Sequence, residues 1–300
     1  MNAPASGGGL RLAANASLAG AVLLWSSFYG VMEELVRGWD VFSLTTFRLT
    51  LGSAILCLML LVREGPGAFL RPLPWARIAL LGGVGFGLFC IFITLGILYA
   101  GAIASAFVFT TTPIVTAFVA RVTVGQKLGP GTLVGAILAL AGGTLVAVKG
   151  GALEFRGGEI FIVGCITCFA WYSIMLPRWL PGLSTLSAAT FTVGAGTLVT
   201  VPVGVAALLA GLVDFRVDLS SRSLALMVYL AVTSICFAVM LWNFGVRHLG
   251  ATIGAMYSNL SPIFAACIAM ALGIYPTMIQ VVGGLVILAG VIIAQRWRAS

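Results

Sequence analysis

The side chains with most to offer chemically are uncharged. Trp25 with Ser26, Thr110 ahead of Pro113, Trp171 with Tyr172, Trp242 with Asn243, and Tyr257 and Asn259 ahead of Pro262 all fall inside long apolar runs. They supply aromatic faces and neutral hydrogen-bonding groups, which suit holding an organic solute rather than breaking a bond. In hydrocarbon their polar atoms need another helix or a water-filled cavity. Trp25, Ser26, Thr110, Trp171, Tyr172, Trp242, Asn243, Tyr257 and Asn259 are therefore the expected substrate-binding set, with helix packing as the alternative for the tryptophans. Pro113 and Pro262 each remove a backbone hydrogen bond from a helix interior. They are the expected hinges, and static kinks compensated by Thr110 and Asn259 are the alternative. Trp39, Trp75, Trp179 and Trp297, near run ends, fit an interfacial belt.

Catalytic equipment is sparse. An embedded enzyme needs a nucleophile, paired acids or metal ligands at working spacing. The chain has one histidine, His248, read as a surface group at the end of a run. The six cysteines, Cys57, Cys90, Cys165, Cys168, Cys236 and Cys267, lie in apolar runs and read as packing residues, without a second pair to complete a metal set around Cys165 and Cys168. No G-x-x-x-x-G-K-[ST] loop occurs, so nucleotide hydrolysis is not the expected energy source. The expectation is a non-enzyme without cofactor or metal. Arg48 is the one ionisable group well inside a run. It is read as snorkelling outward or pairing with Asp40 or Glu33, and attraction of a substrate carboxylate is the other reading. Glu33 and Glu34 mark the end of the first run and are the best carboxylates for proton coupling.

The elements that must position these residues follow from composition. Of 300 residues, 61% are hydrophobic and 8% charged, against a usual charged share of about 25%. Mean hydropathy is +1.14, and the apolar runs match the roughly 20 residues that cross a hydrocarbon core. The expected fold is an all-α integral membrane protein of ten transmembrane helices: Ala16 to Val36, Phe42 to Val62, Arg77 to Leu98, Ala102 to Val119, Gly131 to Val148, Glu159 to Leu176, Leu186 to Ala210, Ser223 to Gly245, Ala251 to Leu272 and Thr277 to Gln295. Little chain remains for a soluble domain. The net charge of +8 comes from basic residues scattered singly between runs, which argues against a nucleic-acid partner. The lipid bilayer is the expected surrounding.

Arg11, Arg63, Arg71, Arg77, Arg121, Lys127, Arg178, Arg247, Arg296 and Arg298 fall on one side of this topology. Only Arg37, Lys149, Arg156, Arg216 and Arg222 fall on the other. Because cytoplasmic loops are enriched in Lys and Arg, both termini are expected in the cytoplasm. The segment from Gly96 to Ile114 also returns 149 residues later: Gly96, Gly101, Ala102, Ala106, Pro113 and Ile114 meet Gly245, Gly250, Ala251, Ala255, Pro262 and Ile263. Trp25 with Trp171 adds a pair at a small shift of register. Five helices per half is an odd number, so the second half, 151–300, enters the membrane opposite to the first, 1–150. Such inverted-topology repeats place substrate near the midplane.

With these residues in view the chain resembles the drug/metabolite transporter superfamily, in its EamA-like branch of ten-helix exporters. The resemblance rests on two five-helix repeats, Trp25 and Trp171, Arg48 after Phe47, and the G-A-x-x-x-A run into Pro-Ile. It is most similar to amino-acid exporters of the YddG type. The resemblance implies a secondary transporter of the bacterial inner membrane, exporting amino acids, including aromatic or other apolar ones, or related small metabolites. An exporter of other drugs or metabolites and a passive solute channel are the alternatives, and protons are a possible coupling ion. The family often carries a Glu before the last helix of each repeat. Here stand Gly125, Gln126 and Lys127, and Gly273, Ile274 and Tyr275, so no role of that Glu carries over.

Overall fold

A computed structural model describes residues 7–109, 111–127, 129–147, 157–261, 263–264, 278, 282–283, 285–286, 289–290, 292–293 and 297. Among these the structure is helical throughout: α1 (Gly7–Ser26), α2 (Phe28–Gly38), α3 (Val41–Glu64), α4 (Trp75–Gly82), α5 (Phe89–Phe109), α6 (Thr112–Val124), α7 (Pro130–Ala147), α8 (Glu159–Trp179), α9 (Thr185–Leu209), α10 (Ser221–Leu230), α11 (Ala238–Leu249) and α12 (Ala251–Tyr257). Short π-helical segments, Gly83–Leu88 and Ala231–Phe237, join α4 to α5 and α10 to α11. Ten spans are expected; among the described residues 6 helices are long and apolar enough to cross a membrane: Gly8–Gly38, Val41–Glu64, Trp75–Gly101, Glu159–Trp179, Thr185–Leu209 and Ser221–Leu249. Apolar side chains such as Leu58, Phe118, Leu198 and Leu209 stand exposed on their outer faces, as lipid-facing positions require.

Several boundaries differ from expectation. The first span starts at Gly7 rather than Ala16, because the polar Asn15 that interrupts the apolar run is satisfied within the helix and from α12. Asn15 Nδ2 donates to the Arg11 carbonyl at 2.7 Å, and Asn15 Oδ1 accepts from the Tyr257 hydroxyl at 2.5 Å. The span then breaks at Ser27, whose hydroxyl donates to the Leu24 carbonyl at 3.0 Å. The expected fourth span is in two pieces. Helix α5 breaks at Gly101, between the expected third and fourth spans, where φ of 83° suits glycine, and the fourth span itself is divided between Phe109 and Thr112. Thr110 of the fourth span, Pro262 and residues 265–272 of the ninth, and about half of the tenth lie outside the described residues.

Polar residues start and pin the helices. Asp40 caps α3, accepting from the amides of Phe42 (3.0 Å) and Ser43 (2.9 Å). It also accepts from the Arg216 amide at 3.2 Å, tying the segment before α10 to the α2–α3 turn. At this same end Glu33 meets Arg37 at 3.7 Å and Glu34 makes a two-bonded pair with Arg222 at 2.6 and 3.1 Å. Bonds from the Ser220 amide and hydroxyl hold the Asp218 carboxyl below its ordinary range.

The halves pack into one another: α1 lies along α11, α5 along α8, and α3 along α9. These contacts recur in pairs. A Cβ on Gly96 would fall 2.1 Å from Ile162, and one on Gly245 would fall 2.4 Å from Leu18. Likewise Gly52 admits Ile235 (2.5 Å) and Gly196 admits Phe86 (2.8 Å). Gly96 with Gly245 and Phe86 with Ile235 are 149 apart, whereas Leu18 with Ile162 and Gly52 with Gly196 are 144 apart. Gly250, at φ 87°, opens α12 as Gly101 interrupts α5.

Candidate functional site

A cavity sits where the two halves meet. Val22, Trp25, Phe28 and Tyr29 reach it from α1 and α2, Arg48 from α3, Phe86 from the first π segment, and Phe89, Ile93 and Phe109 from α5. The second half contributes Phe169 from α8, Ser234 and Ile235 from the second π segment, Val239 from α11, and Ser258 and Ser261 after α12. The centre of a water molecule has about 60 Å³ of space there, enough for a few waters at about 10–15 Å³ each. A wider groove of about 430 Å³ between α3 and α9 faces outward, and its ionisable residue, Asp40, is committed to capping.

Local backbone departures create this space. Ser26 donates to the Val22 carbonyl (2.7 Å) and lies 3.2 Å from the Ser261 hydroxyl, so the break after Ser26 is held against the break after α12. The Trp25 indole N–H donates to the Ser234 carbonyl at 3.1 Å, within the π segment whose altered hydrogen-bond ladder makes carbonyls available. Gly85 in the other π segment lacks the Cβ that would fall 2.5 Å from the Tyr172 ring. That approach sets Phe86 edge-on to Tyr172 at 5.0 Å.

Of the expected binding residues that are described, only Trp25 directly lines this cavity; Thr110 lies outside the described residues. Ser26 lies behind Ser261. Trp242 forms a second layer, 5.3 Å from Trp25 and 5.2 Å from Phe169, with its N–H donating to Ser173 at 2.9 Å. Tyr172 and Asn243 satisfy one another: Asn243 Nδ2 donates to the Tyr172 hydroxyl at 2.9 Å, and that hydroxyl is 3.3 Å from Thr192. Trp171 points away and packs edge-to-face on Trp179 at 5.4 Å. Phe169, 144 residues after Trp25, meets its ring edge-on at 5.5 Å. Tyr257 is turned to Asn15. Asn259 is fully buried, with neither side-chain polar atom partnered among the described residues, so it compensates no kink there.

Pro113 is not a mid-helix residue. It occupies the first turn of α6, where its missing N–H costs nothing. The carbonyls exposed by the preceding break accept from hydroxyls: Val108 from Thr111 (2.7 Å) and Phe109 from Thr112 (2.5 Å).

The residues that sequence reasoning left out of the binding set are Phe28, Tyr29, Phe86, Phe89, Phe109, Phe169 and, above all, Arg48. Arg48 neither snorkels nor pairs with Asp40 or Glu33. It is 1% exposed, its guanidinium lies 4.9 Å from the Phe28 ring centroid, and one N–H meets the Met32 sulfur at 3.3 Å. Its position inside an apolar run was the signal, and the acids near it in sequence are engaged elsewhere. Trp39 also leaves the belt: it is buried, and its N–H donates to Ser223 at 2.7 Å. Trp75, Trp297 and His248 are exposed.

An aromatic, largely uncharged cavity bounded by both halves of a membrane-spanning bundle can bind a solute, and known proteins share the pattern. The EamA-like transporter family matches residues 13–148 and again 156–295. An uncharacterized transporter of Bacillus subtilis, YyaM, is 23% identical over 288 residues, covering 92% of each chain. A probable terminal-alkyne amino-acid exporter of Streptantibioticus cattleyicolor is 24% identical over 280 residues, covering 92% of this chain and 91% of that one. A crystal structure with 20% identity superposes with a TM-score of 0.76 over 94% of this chain and 96% of the other, a likeness of fold. The chain belongs to the EamA-like transporter family, within the drug/metabolite transporter superfamily, and is a multi-pass membrane transporter.

Proposed function

We propose that this chain exports amino acids, including aromatic or other apolar ones, or related small metabolites across the bacterial inner membrane by alternating access through the central cavity. The observation that carries this reading is the cavity's composition: aromatic walls contributed by both halves and serine hydroxyls from the second, with one charge. The two halves, 1–150 and 151–300, act as five-helix repeats of inverted topology, ten helices in all. The recurring contacts of Gly96 and Gly245, and of Gly52 and Gly196, support that symmetry. A bundle whose paired interfaces are alike can exchange an opening at one mouth for an opening at the other. Pro113, which opens α6 after the break, and its counterpart in the sequence, Pro262, are the proposed hinges of that exchange. The amino-acid exporter among the relatives supports the substrate class.

Glu33 and Glu34 sit in ion pairs at the end of the bundle, not in the cavity. This arrangement supports movement down the solute's own gradient over proton coupling. The test is reconstitution in liposomes with labelled amino acids. Saturable uptake with counterflow fits a carrier, and rapid nonsaturable flux fits a channel instead. An effect of an imposed pH gradient on the accumulation ratio would restore the proton.

A further inference from the structure

The least expected group in the cavity is Arg48. A guanidinium stays protonated under any physiological condition, and a buried charge without a counter-charge is costly enough to mark function in a membrane protein. At 1% exposure Arg48 has no carboxylate and no oxygen acceptor among the described residues. It has the Met32 sulfur at 3.3 Å, the Cys90 thiol beside it, and the face of Phe28. Sulfur is a weak acceptor, and the aromatic face satisfies only part of a cation. Its Nε is left without a partner. The nearest acids in sequence are committed, Glu33 to Arg37 at 3.7 Å and Asp40 to backbone amides.

Taking the central cavity as the transport site, we infer that Arg48 recognises a carboxylate, and that the preferred solute is an organic monoanion with an apolar or aromatic tail. Among the described residues lining the cavity, the amino group of an amino acid finds no counter-charge. Among the described residues no carboxylate lines it. The Trp25 N–H is already used by the Ser234 carbonyl and Ser261 is shared with Ser26, so Tyr29 and Ser258 supply the other neutral polar groups of the lining. The charge count ranks solutes. A monoanion neutralises Arg48 and can accept two parallel N–H bonds; a zwitterion makes the same bonds but leaves one positive charge in the cavity; a cation doubles the charge. The tail lies among Trp25, Phe89, Phe109 and Phe169, which must part to admit it, since the space is about 60 Å³.

The test uses the full chain in lipid nanodiscs and four probes of one shape: 3-phenylpropionate, phenylalanine, 3-phenylpropionamide and 3-phenylpropylamine. Calorimetric titration should place the anion first and phenylalanine second. The amide and the amine should be about tenfold or more weaker, as expected for loss of a charge-assisted bond. Arg48→Gln should weaken the anion by about ten- to a hundredfold and leave the amide unchanged, and Arg48→Lys should fall between. Should Arg48→Gln fail to fold, the ranking on the parent protein decides alone. An amine or amide that binds as tightly as the anion overturns the inference, and so does a folded Arg48→Gln that keeps the anion's affinity. If liposomes show saturable counterflow of all four probes alike, carboxylate recognition fails and the transport reading stands. If no probe binds and counterflow of amino acids is absent, both fail.

Discussion

Trp25 is the residue on which the two halves and the cavity meet, and its replacement separates structural from functional contributions. Its N–H bond to the Ser234 carbonyl crosses between the halves at 3.1 Å, and its ring lies 5.5 Å from Phe169 and 5.3 Å from Trp242. A hydrogen bond between membrane helices contributes about 0.6–1.7 kcal/mol, and each aromatic pair about 0.5–1.5 kcal/mol. Trp25→Ala should therefore destabilise the protein by about 2–5 kcal/mol, a range that overlaps the cost of truncating a fully buried aromatic, although Trp25 is half-buried. Trp25→Phe keeps most of the ring contact and loses the bond, so about 1 kcal/mol is expected. Unfolding in mixed micelles measures these costs, and counterflow in liposomes measures KM for the transported solute. Both variants should raise KM when rates are normalised to folded protein, because the indole is also a cavity wall. Trp171→Ala should leave KM at the parental value, since that ring packs on Trp179. A Trp25→Ala protein with parental stability and parental KM would refute both the bridge and the wall.

Tyr172→Phe and Asn243→Leu should each cost about 1–2 kcal/mol, and the double variant clearly less than their sum, because each single change strands the other's buried polar group; additive costs in a double-mutant cycle would show that the pair is not coupled. If the break before α6 is a working hinge, Pro113→Ala should shift the balance between mouths, read by labelling of single cysteines near each mouth in an otherwise Cys-free protein. Labelling and transport like the parent for both Pro113→Ala and Pro262→Ala would make the prolines static. Terminal reporters should place both ends in the cytoplasm, and a C-terminal fusion active only in the periplasm would reverse the orientation drawn from Arg and Lys.

The helical class, the positions of the long helices and the neutral, aromatic character of the interior were legible in the sequence, because composition and run length alone decide them. What faces what was not. In a chain this apolar, the lipid-facing residue Leu198 and the buried residue Val193 share one helix and one chemistry, so periodicity carries no signal for the inward face. The repeat was found where glycines mark it, at 149 residues. Elsewhere close contacts recur at 144 residues instead, as for Leu18 with Ile162 and Gly52 with Gly196, a spacing that the glycine-marked segment does not reveal. Backbone departures were hidden for a similar reason. The breaks at Ser27 and before Thr112 are stabilised by serine and threonine hydroxyls on nearby carbonyls, which local composition does not distinguish from ordinary helix. Arg48 was visible as an oddity. Its isolation from acids emerged only when Asp40 proved to be a helix cap and Glu33 a partner of Arg37.

The measurement that bears most directly on the transport account is counterflow of a labelled amino acid by the purified chain in liposomes, with Trp25→Ala alongside. Saturable exchange that is accelerated by unlabelled solute on the opposite side, with KM raised in the variant, is the predicted result. Flux that rises linearly with concentration and is indifferent to both the opposite side and Trp25 would contradict a carrier built around this cavity.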